Sequence, residues 1–416
     1  MLTSQDIIKA KIIVFLFLAV IAFAEYSTAF TAEFSDTPLT AQENIIAPEY
    51  SPEENDPASP TEDELIEDPF ENLSPFSTGS FWTWDTCLSL GAGYKKNILY
   101  SSIHKVDDPF LRTQADATLF GLWPDDQMLI CYFDFENNHY FSQNNSDDEN
   151  VVMTQIQYQK SLSPSLHLGL SGGYSYFYMF FDTSISDLEQ DTTLLKEHLF
   201  EFSPFLEKEW DKNWGTDANL RLIRNVYGDS VDNSTEFEPE FGLSYAYGHD
   251  SKVRLSYIWN RNDYDDRNAK TPEGEDVVGK TLLRKSHQIK FRSKHAWDAQ
   301  KMWTIQTDLD VTICNDNYKG YDDYNRIRAS ERISFQRGNW ATAIRLAVSR
   351  YDVGNRTIPE DNIDYTTTTG NFEVSRSFKP KWTIFLESEH EIQRYEEFEN
   401  YTVTTFLLGV RWQESD

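Results

Sequence analysis

The sequence predicts an all-β protein, a transmembrane antiparallel up-and-down β-barrel of about 16 strands behind an acidic arm. Three observations predict it. Polar and apolar residues alternate one by one along many segments; those segments are joined by short and long connections in turn; and the tryptophans gather at one end of the segments. Strict alternation is the period of a strand with a different environment on each side. From Trp382 onward, Trp382, Ile384 and Leu386 share one face, while Thr383, Glu387, Glu389 and Glu391 share the other.

The chain opens with Lys9 and Lys11 ahead of an apolar run from Ile12 to Ala24 that closes on Ala22-Phe23-Ala24. A basic start, a short apolar core and small residues at its end mark a secretory signal peptide over 1–24. No cysteine follows closely, so lipoprotein processing is not expected. Residues 25–78 hold 14 Asp plus Glu, no Lys or Arg, and seven of the 15 prolines. Such a segment buries too little apolar surface to offset its ordering entropy, and it is expected to be a disordered linker. After Thr78 there remain 53 acids and 35 bases, which makes nucleic acid an improbable partner.

Residues 79–416 form the third region, the barrel. Over the whole chain the aromatic content is high, at 15%, and the mean hydropathy is −0.57. No stretch beyond the N-terminus approaches the roughly 18 consecutive apolar residues of a spanning helix. Seven short turns, among them Pro124-Asp125-Asp126, Ser163-Pro164-Ser165, Asp298-Ala299-Gln300 and Arg337-Gly338-Asn339, interleave with eight longer polar connections such as 143–150, 183–195, 262–280 and 315–325. These give sixteen strands with both chain ends on the short-turn side.

Each strand offers one apolar face. In 302–313, Trp303, Ile305, Leu309, Val311 and Ile313 oppose Thr304, Gln306, Asp308, Asp310 and Thr312. Soluble sandwiches alternate as well, so tryptophan position decides. Trp82, Trp84, Trp123, Trp210, Trp214, Trp297, Trp303, Trp340, Trp382 and Trp412 all fall at strand ends beside short turns or chain ends; Trp259 alone does not. Indoles at one height form an aromatic girdle at a water–bilayer interface. The proposed interface residues are Trp123, Trp210, Trp297, Trp303, Trp340, Trp382 and Trp412.

With these features, residues 79–416 resemble outer-membrane β-barrels of the porin type, down to a last strand, Thr405 to Trp412, that closes near an aromatic. Here Gln413 to Asp416 follow that aromatic, which departs from the class pattern. The resemblance implies the outer membrane of a Gram-negative type of cell, with its lipid as surroundings and the arm in the periplasm. It also implies insertion by the barrel-assembly machinery and passive passage of small hydrophilic solutes, and it leaves a homotrimer open.

A sixteen-stranded barrel keeps an aqueous lumen, so the polar faces are expected to line it. Glu373, Glu387, Glu389 and Glu391 would form one acidic wall. Arg254, Lys290, Arg292, Arg328 and Arg332 would form a basic arc with Asp308 and Asp310 among them, Lys290 lying opposite Asp308. The acidic preponderance predicts a weak preference for cations.

No catalytic cluster, metal site or cofactor is indicated by these faces. The acidic loops 144–150, 262–268 and 315–325 read as solvated; in the last, Lys319 takes a ligand position and breaks the calcium-loop pattern. Cys87, Cys131 and Cys314 fall on the first, third and eleventh strands. Strands two apart are nearly 10 Å from one another, so the thiols are expected to be free. The alternative function is a barrel lipid hydrolase, with Ser388 as nucleophile and His390 as base on the face of Trp382 and Leu386.

Overall fold

The computed structural model describes residues 82–98, 100, 105–123, 127–141, 148–182, 192–228, 232–248, 250–298, 300–353, 364–395 and 400–415. The signal peptide, the linker and the turn at 124–126 lie outside the described residues. Sixteen strands follow in chain order: β1 (Trp82–Lys96), β2 (Asp108–Trp123), β3 (Gln127–Tyr140), β4 (Glu149–Ser163), β5 (Leu166–Asp182), β6 (Thr192–Glu209), β7 (Trp214–Tyr227) and β8 (Ser234–Tyr247). Then come β9 (Ser251–Lys270), β10 (Asp276–Ala296), β11 (Trp303–Asp316), β12 (Tyr324–Arg337), β13 (Trp340–Val353), β14 (Tyr365–Lys379), β15 (Trp382–Tyr395) and β16 (Tyr401–Ser415). Each strand pairs antiparallel with its sequence neighbours, and β1 pairs with β16, so the sheet closes on itself with no free edge.

Turn chemistry sets the short-turn end. Asp211 accepts the amides of Asn213 (2.7 Å) and Trp214 (2.9 Å), and Asp298 those of Met302 (2.9 Å) and Trp303 (3.2 Å). In both turns an aspartate caps the backbone and delivers a tryptophan as the first residue of the next strand. The two amide bonds hold the Asp211 carboxyl below the usual carboxylate range. Gly338, with φ 58°, supplies the left-handed residue that the two-residue turn between β12 and β13 requires.

Ion pairs identify the inside of the barrel. Arg112 on β2 lies 3.7 Å from Glu387 on β15, and Lys95 on β1 lies 3.4 Å from Glu149 on β4. Partners three strands apart in a closed sheet can meet only across its concave side. The opposite, convex face carries the exposed apolar side chains, including Leu88, Ile156, Phe202, Leu255, Ile289, Ile344, Leu386 and Leu408. Trp82, Trp210, Trp297, Trp303, Trp340 and Trp382 are also exposed, at the short-turn end, so the convex surface has an apolar band edged by indoles.

Two expectations are corrected. Residues 262–280 are not a loop: β9 runs on to Lys270 and β10 starts at Asp276, leaving five residues between them, with register shifts near Thr281. Beyond the apolar band the hairpin continues without apolar alternation, so its sequence carries no strand period. Lys290 pairs in register with Asp310, and Asp308 faces Arg292 instead. The β10–β11 turn closes through Trp297 N to Trp303 O (3.0 Å), two residues further along the second strand than a turn centred on Ala299 would.

Candidate functional site

All eleven residues predicted to line a pore share the concave face, and strand register sorts them into arcs. Along β6 to β9 the wall is a ladder of clamps. Arg221 lies 3.2 Å from Glu201 and 2.8 Å from Glu238, one strand to either side. Arg254 reaches Asp217 at 2.6 Å and Glu240 at 2.7 Å. Asn260 donates to Glu236 (2.7 Å) and Glu238 (3.1 Å). Carboxylates outnumber guanidiniums here, and each guanidinium is held by two of them.

From β10 to β13 the balance reverses. Arg292 donates to Asp308 at 2.8 Å, while Asp310 accepts from Arg326 at 3.0 Å and from Gln288. Arg328 is the register partner of Asp310, and Arg332 faces Gln306 on one side and Arg345 on the other. This is the predicted basic arc without Arg254, which belongs to the clamps of β6 to β9, and its two aspartates are consumed by hydrogen bonds.

The third arc straddles the junction of β1 and β16. Glu373 and Glu387 are direct cross-strand partners, a destabilising like-charge pair on its own. Arg411 on β16 approaches both, at 3.9 and 3.7 Å, and Arg112 bridges Glu387 (3.7 Å) to Glu136 (3.2 Å). Glu389 is exposed, and Glu391 accepts the Tyr401 hydroxyl at 3.2 Å.

Among these charges part of the same arc is apolar and buried. Ile98, Phe110, Tyr140, Phe385 and Leu407 form a buried apolar cluster with Val106 packed against it. Gly93 makes room for it: a Cβ there would sit 2.5 Å from Phe110 Cζ and 2.5 Å from the Phe406 carbonyl oxygen. Beside the cluster Glu149 accepts from Tyr140 (2.7 Å), Asn138 (3.3 Å) and Lys95 (3.4 Å), with both charged side chains less than one-tenth exposed. Ile98 N donates to Val106 O (2.8 Å) and Asn97 Nδ2 to Thr402 O (3.2 Å), fastening the ends of the first connection to this wall.

Sequence reading missed Lys95, Arg112, Glu136, Glu149, Arg221 and Arg411. Each is legible as a polar position in an alternating strand, but its partner depends on strand register and, for Arg112 with Glu387, on closure. Ser388 and His390 lie on the convex face, in register with Phe406 and Thr404. His390 Nδ1 bonds Thr404 Oγ1 at 2.9 Å, and among the described residues it shares no hydrogen bond with Ser388. Cys87, Cys131 and Cys314 are free thiols. Among the described residues no group of three or more His, Cys, Asp or Glu is placed to hold a metal ion. In the 315–325 loop Asp316 accepts the amides of Tyr318 (2.7 Å), Gly320 (3.0 Å) and Asp322 (3.0 Å), so its oxygens serve the backbone.

No family model matches the chain, and no curated protein matches it. Among solved structures it is similar to OccAB4 of Acinetobacter baumannii (8% identity, TM-score 0.44, covering 82% of this chain and 99% of that one). It is also similar to a BenF-like porin from Pseudomonas fluorescens Pf-5 (9%, 0.43, 80% and 99%) and to an anion-selective porin from Comamonas acidovorans (9%, 0.42, 80% and 99%).

Proposed function

We propose that the barrel is a porin-like outer-membrane channel for passive diffusion of small hydrophilic solutes, with a weak preference for cations. One observation carries the reading: a closed sixteen-stranded barrel carries ladders of ion pairs on its concave face and a band of exposed apolar side chains on its convex face. A soluble protein would bury that apolar face, and a sheet of this many strands encloses water. On this reading the outer membrane houses the barrel, the barrel-assembly machinery inserts it, and the N-terminal linker hangs in the periplasm. The predicted pore residues Glu373, Glu387, Glu389, Glu391, Arg254, Lys290, Arg292, Asp308, Asp310, Arg328 and Arg332 then line the path. Nothing in the concave wall favours catalysis over passage.

Planar-bilayer recording tests the reading. Discrete ion-conducting steps are expected, whereas a closed barrel that releases fatty acids from phospholipid would support the hydrolase. Selectivity gives a sharper measurement. Changing Glu387, Glu389 and Glu391 together to Gln removes three negative charges and releases Arg112 and Arg411 from Glu387. The zero-current potential in a salt gradient should move toward anion preference. The shift should fade as the Debye length falls from about 30 Å at 0.01 M to about 3 Å at 1 M. An unchanged potential in a conducting variant would remove these residues from the path.

Orientation is checked on intact cells. A cysteine at Glu275, exposed at the tip of the β9–β10 hairpin, should react with a reagent that does not cross the outer membrane, and one at Asn339 should not. The reverse pattern would turn the barrel over. Asp322, in another long connection, is a poor probe because its carboxylate is buried against Arg284 (3.2 Å) and Arg267 (3.8 Å).

A further inference from the structure

The chain carries a formal net charge of −31, yet four basic residues gather on one side of its convex face. Lys196, Arg224, Arg261 and Lys285 occupy outward positions on β6, β7, β9 and β10, all toward the long connections. Arg261 and Lys285 are direct cross-strand partners, an arrangement that repels unless an anion lies between them. Arg261 is held by Asp263 (2.8 Å) and Arg224 by Asp265, but Lys196 and Lys285 have no carboxylate partner among the described residues.

Trp259 lies beneath this row. It is the tryptophan that does not join the short-turn girdle, and it sits two residues before Arg261 and opposite His287 in register. Its ring meets Phe237 edge-on at 6.0 Å. Bases above and aromatic surface below match a lipid with an anionic head and acyl chains. From β7 to β10 there are three strand spacings, about 14 Å, more than a single phosphate spans.

We infer that this face of β6–β10 binds a bisphosphorylated glycolipid of the outer leaflet, its phosphates on Lys196, Arg224, Arg261 and Lys285 and its acyl chains against Trp259. The inference rests on the outer-membrane placement proposed above. The basic row then offsets phosphate charge, while Asp263 and Asp265 keep the arginines extended along the face.

Native mass spectrometry of the purified barrel tests it, with bisphosphoryl lipid A, its monophosphoryl form and phosphatidylglycerol as probes. The wild-type barrel should retain one bisphosphoryl molecule in preference to the other two. The triple variant Lys196→Gln, Arg261→Gln, Lys285→Gln should bind it roughly 100-fold more weakly, from about fivefold per base near a membrane surface. Heat-modifiable gel migration reports whether the triple variant has folded. Should it not fold, Lys285→Gln alone, at an exposed position, should weaken retention about fivefold. Retention equal to wild type in a folded variant overturns the inference. So does equal retention of phosphatidylglycerol, or displacement of the glycolipid by millimolar inorganic phosphate. Conductance of the wild-type barrel is read separately, so a channel that conducts without retaining glycolipid defeats the inference and leaves the channel reading intact.

Discussion

Replacing Glu149 with leucine is expected to cost the barrel about 3–5 kcal/mol, the usual penalty for stranding one partner of a buried ion pair. Lys95 and Glu149 are each less than one-tenth exposed, and Glu149 also holds the Tyr140 hydroxyl and the Asn138 amide. The substitution takes this acceptor from an ammonium and from the Tyr140 hydroxyl in a buried part of the wall, while Asn138 keeps Glu136 (3.1 Å). Denaturant titration in detergent, followed by heat-modifiable migration, should show the loss. The double variant Lys95→Met, Glu149→Leu should recover much of it, because the stranded charge leaves with its partner. If the double variant is as unstable as the single, packing rather than charge sets the penalty.

The second large effect belongs to the convex face. Leu386→Arg should cost about 2–4 kcal/mol and Trp382→Arg about 0–1 kcal/mol, because the penalty for a cation falls from the bilayer midplane to the interface. Both side chains are outward and about two-fifths exposed, so exposure alone predicts equal tolerance. Their difference is height: four residues separate them, roughly 13 Å along the strand. Folding into bilayers of defined thickness measures both. Equal penalties would mean that this face does not meet hydrocarbon.

Much of the fold is legible before any coordinates. Alternation along 382–391 and 302–313 separates the faces because each strand has the concave interior on one side and the exposed convex surface on the other. The strand count follows from turns whose chemistry is local, such as the aspartate caps at Asp211 and Asp298. Register is less legible: the β10–β11 turn adds two residues on one side, and that suffices to give Asp308 to Arg292 rather than Lys290. The extended β9–β10 hairpin is hidden for a different reason. Past the apolar band a strand needs no apolar face, so its sequence resembles a polar loop. The clamps around Arg221, Arg254 and Arg411 lie beyond sequence reading because they depend on the register of adjacent hairpins, and the Arg112–Glu387 bridge because only the closed sheet joins its ends.

The ties across the β1–β16 junction bear on the order in which the molecule is made. Each hairpin can form from neighbours in the chain, but Asn97 and Thr402 are 305 residues apart, and the Phe110–Phe385 cluster and the Arg112–Glu387 bridge are similarly remote. Contacts of such long range come late. An incomplete sheet therefore has its turns and most of its ladders while two edges stay open and these groups stay wet. Resistance to heat and detergent should arrive in a single step, when the last strand meets the first and the junction locks from within.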